Sequence, residues 1–123
     1  MKKFTFIFIL FTNILSSQEI LRIDNSTSSI SYSGKHFLHN WDAKNENISG
    51  LIELKENQIS KIGVLAKVAD FKSGNSSLDS NSFRVLDALK IPNIIFRSTD
   101  IVETLDIISV YGTISFHGIE KAI

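Results

Sequence analysis

Three observations predict a mainly all-β, antiparallel fold with one short helix for this 123-residue chain. Long runs alternate apolar and polar side chains with a period of two, the spacing of a strand with one face on a core. Only one stretch, Leu78–Ser98, switches to helical spacing and back. Turn-forming clusters separate the runs at intervals expected of a barrel or a sandwich. The length allows one domain at most. An apolar fraction of 43% supports a real core and argues against disorder.

The chain opens with a targeting pattern. Lys2 and Lys3 precede the apolar run Phe4–Leu15, and Ser16-Ser17-Gln18 offers small residues for cleavage. Residues 1–18 therefore read as a Sec-type signal peptide, a helix in transit, too short to span a bilayer. No cysteine occurs anywhere. That excludes a lipobox anchor, disulfides and thiolate metal sites. Residues 19–123 are expected to form the mature domain, periplasmic or secreted, with no membrane span. Without Lys2 and Lys3, eleven basic residues face thirteen acidic ones, a net charge of −2. Such a balance offers no basic surface for nucleic acid.

Ile20–Asp24 and Ser28–Ser33 are short strands with Leu21 and Ile23, then Ile30 and Tyr32, at alternate positions. Lys35–Asn47 shows no clear period. In the next strand Ile48, Gly50, Ile52 and Leu54 share a face, with Ser49, Glu53 and Lys55 opposite and Leu51 the exception. Glu56-Asn57-Gln58 makes a hairpin turn, after which Ile62, Val64, Ala66 and Val68 line one face. Two such adjacent runs predict an antiparallel pair with one face on a core. Ser73–Ser77 is a loop by composition.

The helix is expected near residues 79–89. Asp79 or Ser80 would cap it by accepting its first free N–H groups. Phe83, Leu86 and Leu89 form a narrow apolar stripe, and Pro92, which has no N–H, would end it. Asn93–Ile101 returns to strand spacing. After a polar turn at Glu103–Asp106, Ile108, Val110, Gly112, Ile114 and Phe116 share the face of a last strand. Gly112 within it suggests a bend or a bulge.

Three blocks now stand in order. The first is Leu21-Arg22-Ile23-Asp24 with Ser29-Ile30-Ser31-Tyr32-Ser33-Gly34-Lys35-His36. The second runs from Ile62–Val68 through Phe71-Lys72-Ser73-Gly74-Asn75 and the helix to Pro92-Asn93-Ile94-Ile95-Phe96-Arg97-Ser98. The third is Tyr111-Gly112-Thr113-Ile114-Ser115-Phe116-His117-Gly118-Ile119-Glu120-Lys121. Together they resemble the YceI-like family of secreted bacterial proteins over nearly the whole mature chain. Leu78 stands where many members carry Arg, Glu120 where Thr is usual, and the Lys90-Ile91-Pro92 connection is short. Members continue with several more strands after the third block. The resemblance therefore implies an antiparallel lipocalin-like β-barrel that is incomplete at the C-terminus of this chain.

The resemblance also implies a binding or carrier protein for a long apolar ligand such as a polyisoprenoid, an isoprenoid quinone or a lipid. The strand faces are compatible, because charges gather on one side. Interior Gly50, Ala66 and Gly112 would leave room. Each buried methylene contributes about 0.8 kcal/mol, so a few isoprene units reach micromolar affinity. The expected ligand-contacting residues are Phe37 and Trp41 from the irregular segment, at a barrel mouth or lid. On the inner faces they are Ile52, Val64, Ala66, Val68, Ile94, Phe96, Ile114 and Phe116. The Phe83, Leu86 and Leu89 stripe is expected to plug one end.

Two other readings stand beside it. One is a non-catalytic envelope β domain with a filled core that acts through protein contacts. The other is a metal site built on His36 and His39, with His117 or Asp42 as third ligand. No Gly-x-Ser-x-Gly elbow, phosphate loop or calcium loop is present, so no enzyme and no cofactor are expected. The oligomeric state is open, with a dimer as one option.

Overall fold

Two alternating runs, β4 (Ile48–Lys55) and β5 (Gln58–Lys67), pair antiparallel at the centre of the fold. They are joined by a two-residue turn in which Glu56 and Asn57 both have positive φ, as the twist of a tight hairpin requires. The computed structural model describes residues 17–35 and 37–123, so the signal segment lies almost wholly outside the described residues. β1 (Gln18–Arg22) flanks β4. On the other side follow β6 (Asn93–Glu103), β7 (Ile108–Phe116) and β8 (Ile119–Ala122). The result is a six-stranded antiparallel sheet in the order β1-β4-β5-β6-β7-β8.

A separate hairpin of β2 (Ile30–Lys35) and β3 (Asn40–Asn45) stands off this sheet. β3 falls inside the segment that showed no period. Its inward positions are Trp41, Ala43 and Asn45, and the polar Asn45 breaks the apolar alternation. The hairpin is tied down where Lys44 and Lys72 exchange backbone bonds of 2.9 Å. It packs on the sheet through a small core of Ala43, Ile48, Ala66 and Phe71, with Ile23, Ile30 and Ile94 around it. Among the described residues, then, the expected barrel is an open sheet with a separate hairpin packed against it. β1 and β8 are its two edges.

Two bulges hold the inner face apolar. Leu54 pairs with Ile59 and Glu53 with Lys61, which leaves Ser60 unpaired and keeps Ile59 and Ile62 on the same side. Ser98 pairs with Gly112 and Asp100 with Tyr111, so Thr99 is the extra residue and Ile101 follows Ser98 inward. The bulge expected at Gly112 is thus on its partner strand. The expected room at Gly50 and Gly112 is already taken. A Cβ on Gly50 would collide with Ile23, and one on Gly112 with the Phe96 ring and the Arg97 carbonyl. Leu51 does lie on the outer face, beside Gly63.

The helix α1 spans Ser76–Val85 rather than 79–89. Asn75 is its cap, with its side chain accepting from Leu78 N–H at 3.1 Å. Asp79, expected as cap, instead reaches back to Ser73, taking its N–H at 2.9 Å and its hydroxyl at 2.6 Å. The helix stops well before Pro92. Asp87 takes a positive φ, and the bonds Ala88 N–H to Phe83 O and Asp87 N–H to Arg84 O close a Schellman end. Leu89 consequently leaves the stripe and is 84% exposed.

Candidate functional site

The inner face of the sheet carries its apolar residues in rows. Ala66 pairs with Ile48 on one side and Ile94 on the other. Val64 pairs with Gly50 and with Phe96, and Phe96 pairs with Ile114. After β5 a short 3-10 turn, Val68–Asp70, swings the chain off the sheet, and Val68 N–H donates to Pro92 O at 2.9 Å. The chain returns through Phe71, whose ring meets that of Tyr32 at 5.3 Å between centroids, tilted by 52°. The helix then spans the open side. It buries none of its own residues.

Between sheet, hairpin and helix lies a cavity of about 1120 Å³. Sites for drug-sized molecules run from about 300 to 1,000 Å³, so this one suits a large ligand. Its floor is Val64, Ala66, Ile94, Phe96, Ile114 and Phe116. One wall is the hairpin with Ile30, Tyr32, His39 and Trp41, and the other is the helix with Leu78, Phe83, Val85 and Leu86. Val68 and Phe71 close the end where the helix begins.

Eight of the ten residues expected at the ligand therefore line one cavity: Trp41, Val64, Ala66, Val68, Ile94, Phe96, Ile114 and Phe116. Phe37 and Ile52 do not. Phe37 sits at the tip of the hairpin, 97% exposed. Ile52 is on the inner face, but it pairs with Leu21 and Ile62 one row beyond the reach of the helix. Phe83 and Leu86 face the cavity as a wall, whereas Leu89 takes no part. Sequence reasoning missed Tyr32, Phe71, Leu78 and Val85. The signal for Phe71 was an aromatic residue just past the end of an apolar strand face.

The trp indole lies flat across Gly34, its cross-strand partner, where any Cβ would strike the ring. At the far side, His117 and Gly118 form a second two-residue turn with positive φ. His117 Nδ1 bonds the Leu86 carbonyl at 3.0 Å, tying the end of the helix to the β7–β8 turn beside Phe116. At the start of the helix, the hydroxyl and N–H of Ser73 hold the Asp79 carboxyl below the ordinary carboxylate range. Asp79 and His117 thus hold the two ends of the helix, whereas the buried Nε1 of Trp41 has no hydrogen-bond partner among the described residues.

Among the described residues no group of three or more His, Asp or Glu side chains could hold a metal. His36, one member of the expected site, lies outside them. His117 belongs to the β7–β8 turn, bonded to the helix end. Among the described residues, too, no helix is long and apolar enough to cross a membrane.

An antiparallel sheet with an apolar cavity under one short helix defines a class of β proteins built around a ligand-sized interior. A family model for the YceI-like domain matches residues 21–123, and the chain belongs to that family. The structure is similar to that of Burkholderia cenocepacia BcnA, at 17% identity and a TM-score of 0.73, over 82% of this chain and 67% of that one. It is also similar to a Campylobacter jejuni YCEI protein, at 20% identity and a TM-score of 0.61, over 100% of this chain and 66% of that one. The chain spans about two thirds of the length of these neighbours. At such identities the likeness concerns the fold. No curated protein matches the sequence.

Proposed function

We propose that the protein binds and carries a long apolar molecule of the polyisoprenoid, isoprenoid quinone or lipid class in this cavity, in the periplasm or outside the cell. The observation that carries the reading is the unpacked apolar floor. Val64, Ile94, Phe96 and Ile114 remain half-buried although they lie at the centre of the sheet. A filled core would bury them, since interiors pack close to crystal density. A helix with no buried residue likewise needs something against its inner side.

The energetics set the size of the ligand. Micromolar binding needs about 8 kcal/mol, and association costs a further 4–15 kcal/mol. At about 0.8 kcal/mol per buried methylene, the ligand must bury roughly 15–29 carbons. That is a chain of several isoprene units and not a small metabolite. Binding of this kind uses no catalytic group, and the protein acts as a carrier rather than an enzyme.

Trp41 is the only tryptophan in the chain and lines the cavity, so it reports occupancy. Titration with an isoprenoid quinone is expected to quench its fluorescence to saturation at micromolar concentration. Ile114→Asp, which places a carboxylate on the apolar floor, is expected to weaken binding about tenfold or more. Absence of quenching in the unsubstituted chain would count against the reading.

A further inference from the structure

From the β2–β3 hairpin we infer that its tip, Phe37 with Leu38, is the element by which the protein docks on a lipid bilayer to exchange its cargo. Phe37 is 97% and Leu38 77% exposed, side by side at the end of a hairpin that projects from the sheet. The cavity lining begins at the very next residue, His39, and continues through Trp41 and Tyr32 on the same hairpin. The tip and one wall of the cavity are therefore one structural unit. Whatever the tip inserts into lies directly before the ligand.

The area selects the partner. A stable protein interface needs about 800 Å² from each side. Two side chains supply at most a few hundred Å². A bilayer sets no such threshold, because each apolar side chain that enters the boundary of headgroups and acyl chains adds its own increment. Phe suits that boundary, and a neighbouring cation remains among the headgroups. Here the cation is Lys35, the last residue of β2, paired with uncharged Asn40. Asp42 is opposite Ser33, two pairs back from the tip, and Lys44 is engaged by Glu46. Among the described residues, the end of the hairpin thus presents Phe37 and Leu38 beside one lysine. The β6–β7 turn offers the contrast. Leu105 there is 104% exposed, but it lies between Glu103 and Asp106.

The inference depends on the carrier reading for its purpose, and the test separates the two. The full chain is floated with vesicles of phosphatidylcholine and phosphatidylglycerol in equal parts. The unsubstituted protein should float with them. The double variant Phe37→Ser/Leu38→Ser should lose at least about tenfold in vesicle affinity, while Leu105→Ser and the conservative Phe37→Leu should bind nearly as before. Circular dichroism should show that all variants fold, as expected for substitutions at exposed positions. Equal binding by the double variant, or no binding by the unsubstituted protein, overturns the inference. So does self-association or a stoichiometric protein complex that depends on Phe37 in place of vesicle binding. An organic extract of each variant reads the cargo separately. Vesicle binding that depends on Phe37, with no apolar cargo in any extract, upholds the docking tip while the carrier reading fails.

Discussion

Asn45 shows how much a single residue decides here and how little of it the sequence displays. It is fully buried, yet its amide is satisfied at both ends. Nδ2 donates to Lys67 O at 3.1 Å, and Oδ1 accepts from Asn47 N–H at 2.8 Å. One side chain thus joins the end of β3 to the end of β5, behind the cavity wall. Asn45→Ala leaves two backbone groups without partners, and the expected loss is about 1–3 kcal/mol in urea unfolding. Asp79 is the second case. Because Ser73 lowers its carboxyl pKa in the folded state, the contribution to stability is present above the unfolded value of about 3.9. It is lost as pH falls through the lower folded value. Asp79→Asn should therefore flatten the dependence of unfolding midpoint on pH in that acidic window and leave the slope near pH 7 unchanged. Neither role follows from composition or period. An Asn in a segment without a clear period shows no role, and an Asp before a helix reads as a cap, until the chain brings Lys67 or Ser73 to meet them.

Among the elements, the long strands were legible, and so were the short β1 and β2, each displaced by two residues, whereas β3 and β8 were not. β4, β5, β6 and β7 each turn an apolar face inward, so their alternation survives in the sequence except at the bulges of Ser60 and Thr99. β3 was hidden because its third inward residue is Asn45. β8, with Ile119-Glu120-Lys121-Ala122, is an edge strand of four residues with little face to bury. The helix was legible as an element but displaced. The stripe of Phe83, Leu86 and Leu89 extended it past Val85, and the real stop is a Schellman turn at Asp87, where no Gly marks it. The displaced cap has a direct test. Asn75→Ala should cost about 0.5–2 kcal/mol, the usual loss of an N-cap, whereas Ser80→Ala, at the position expected from sequence, should fall within about 0.5 kcal/mol of the unsubstituted chain. Denaturant unfolding of the two variants side by side decides it.

At the scale of the molecule, alternation told which face of the sheet is apolar but not how far along it the covering elements reach. That is why Ile52 was expected at the ligand together with Val64 and Phe96. All three share a face, and only the positions of helix and hairpin separate them. Phe37 was expected there for a different reason, its place in an irregular segment, and the hairpin carries it out to solvent. What remains is a sheet whose inner face meets its helix and hairpin across about 1120 Å³ of largely apolar space. The carrier account says that this space is filled in the cell. The most direct test is mass spectrometry of an organic-solvent extract from protein purified without detergent. The account predicts a stoichiometric apolar molecule of several isoprene units or comparable acyl length, diminished in Ile114→Asp. An extract free of such material, together with no binding of added isoprenoid quinone, would contradict it.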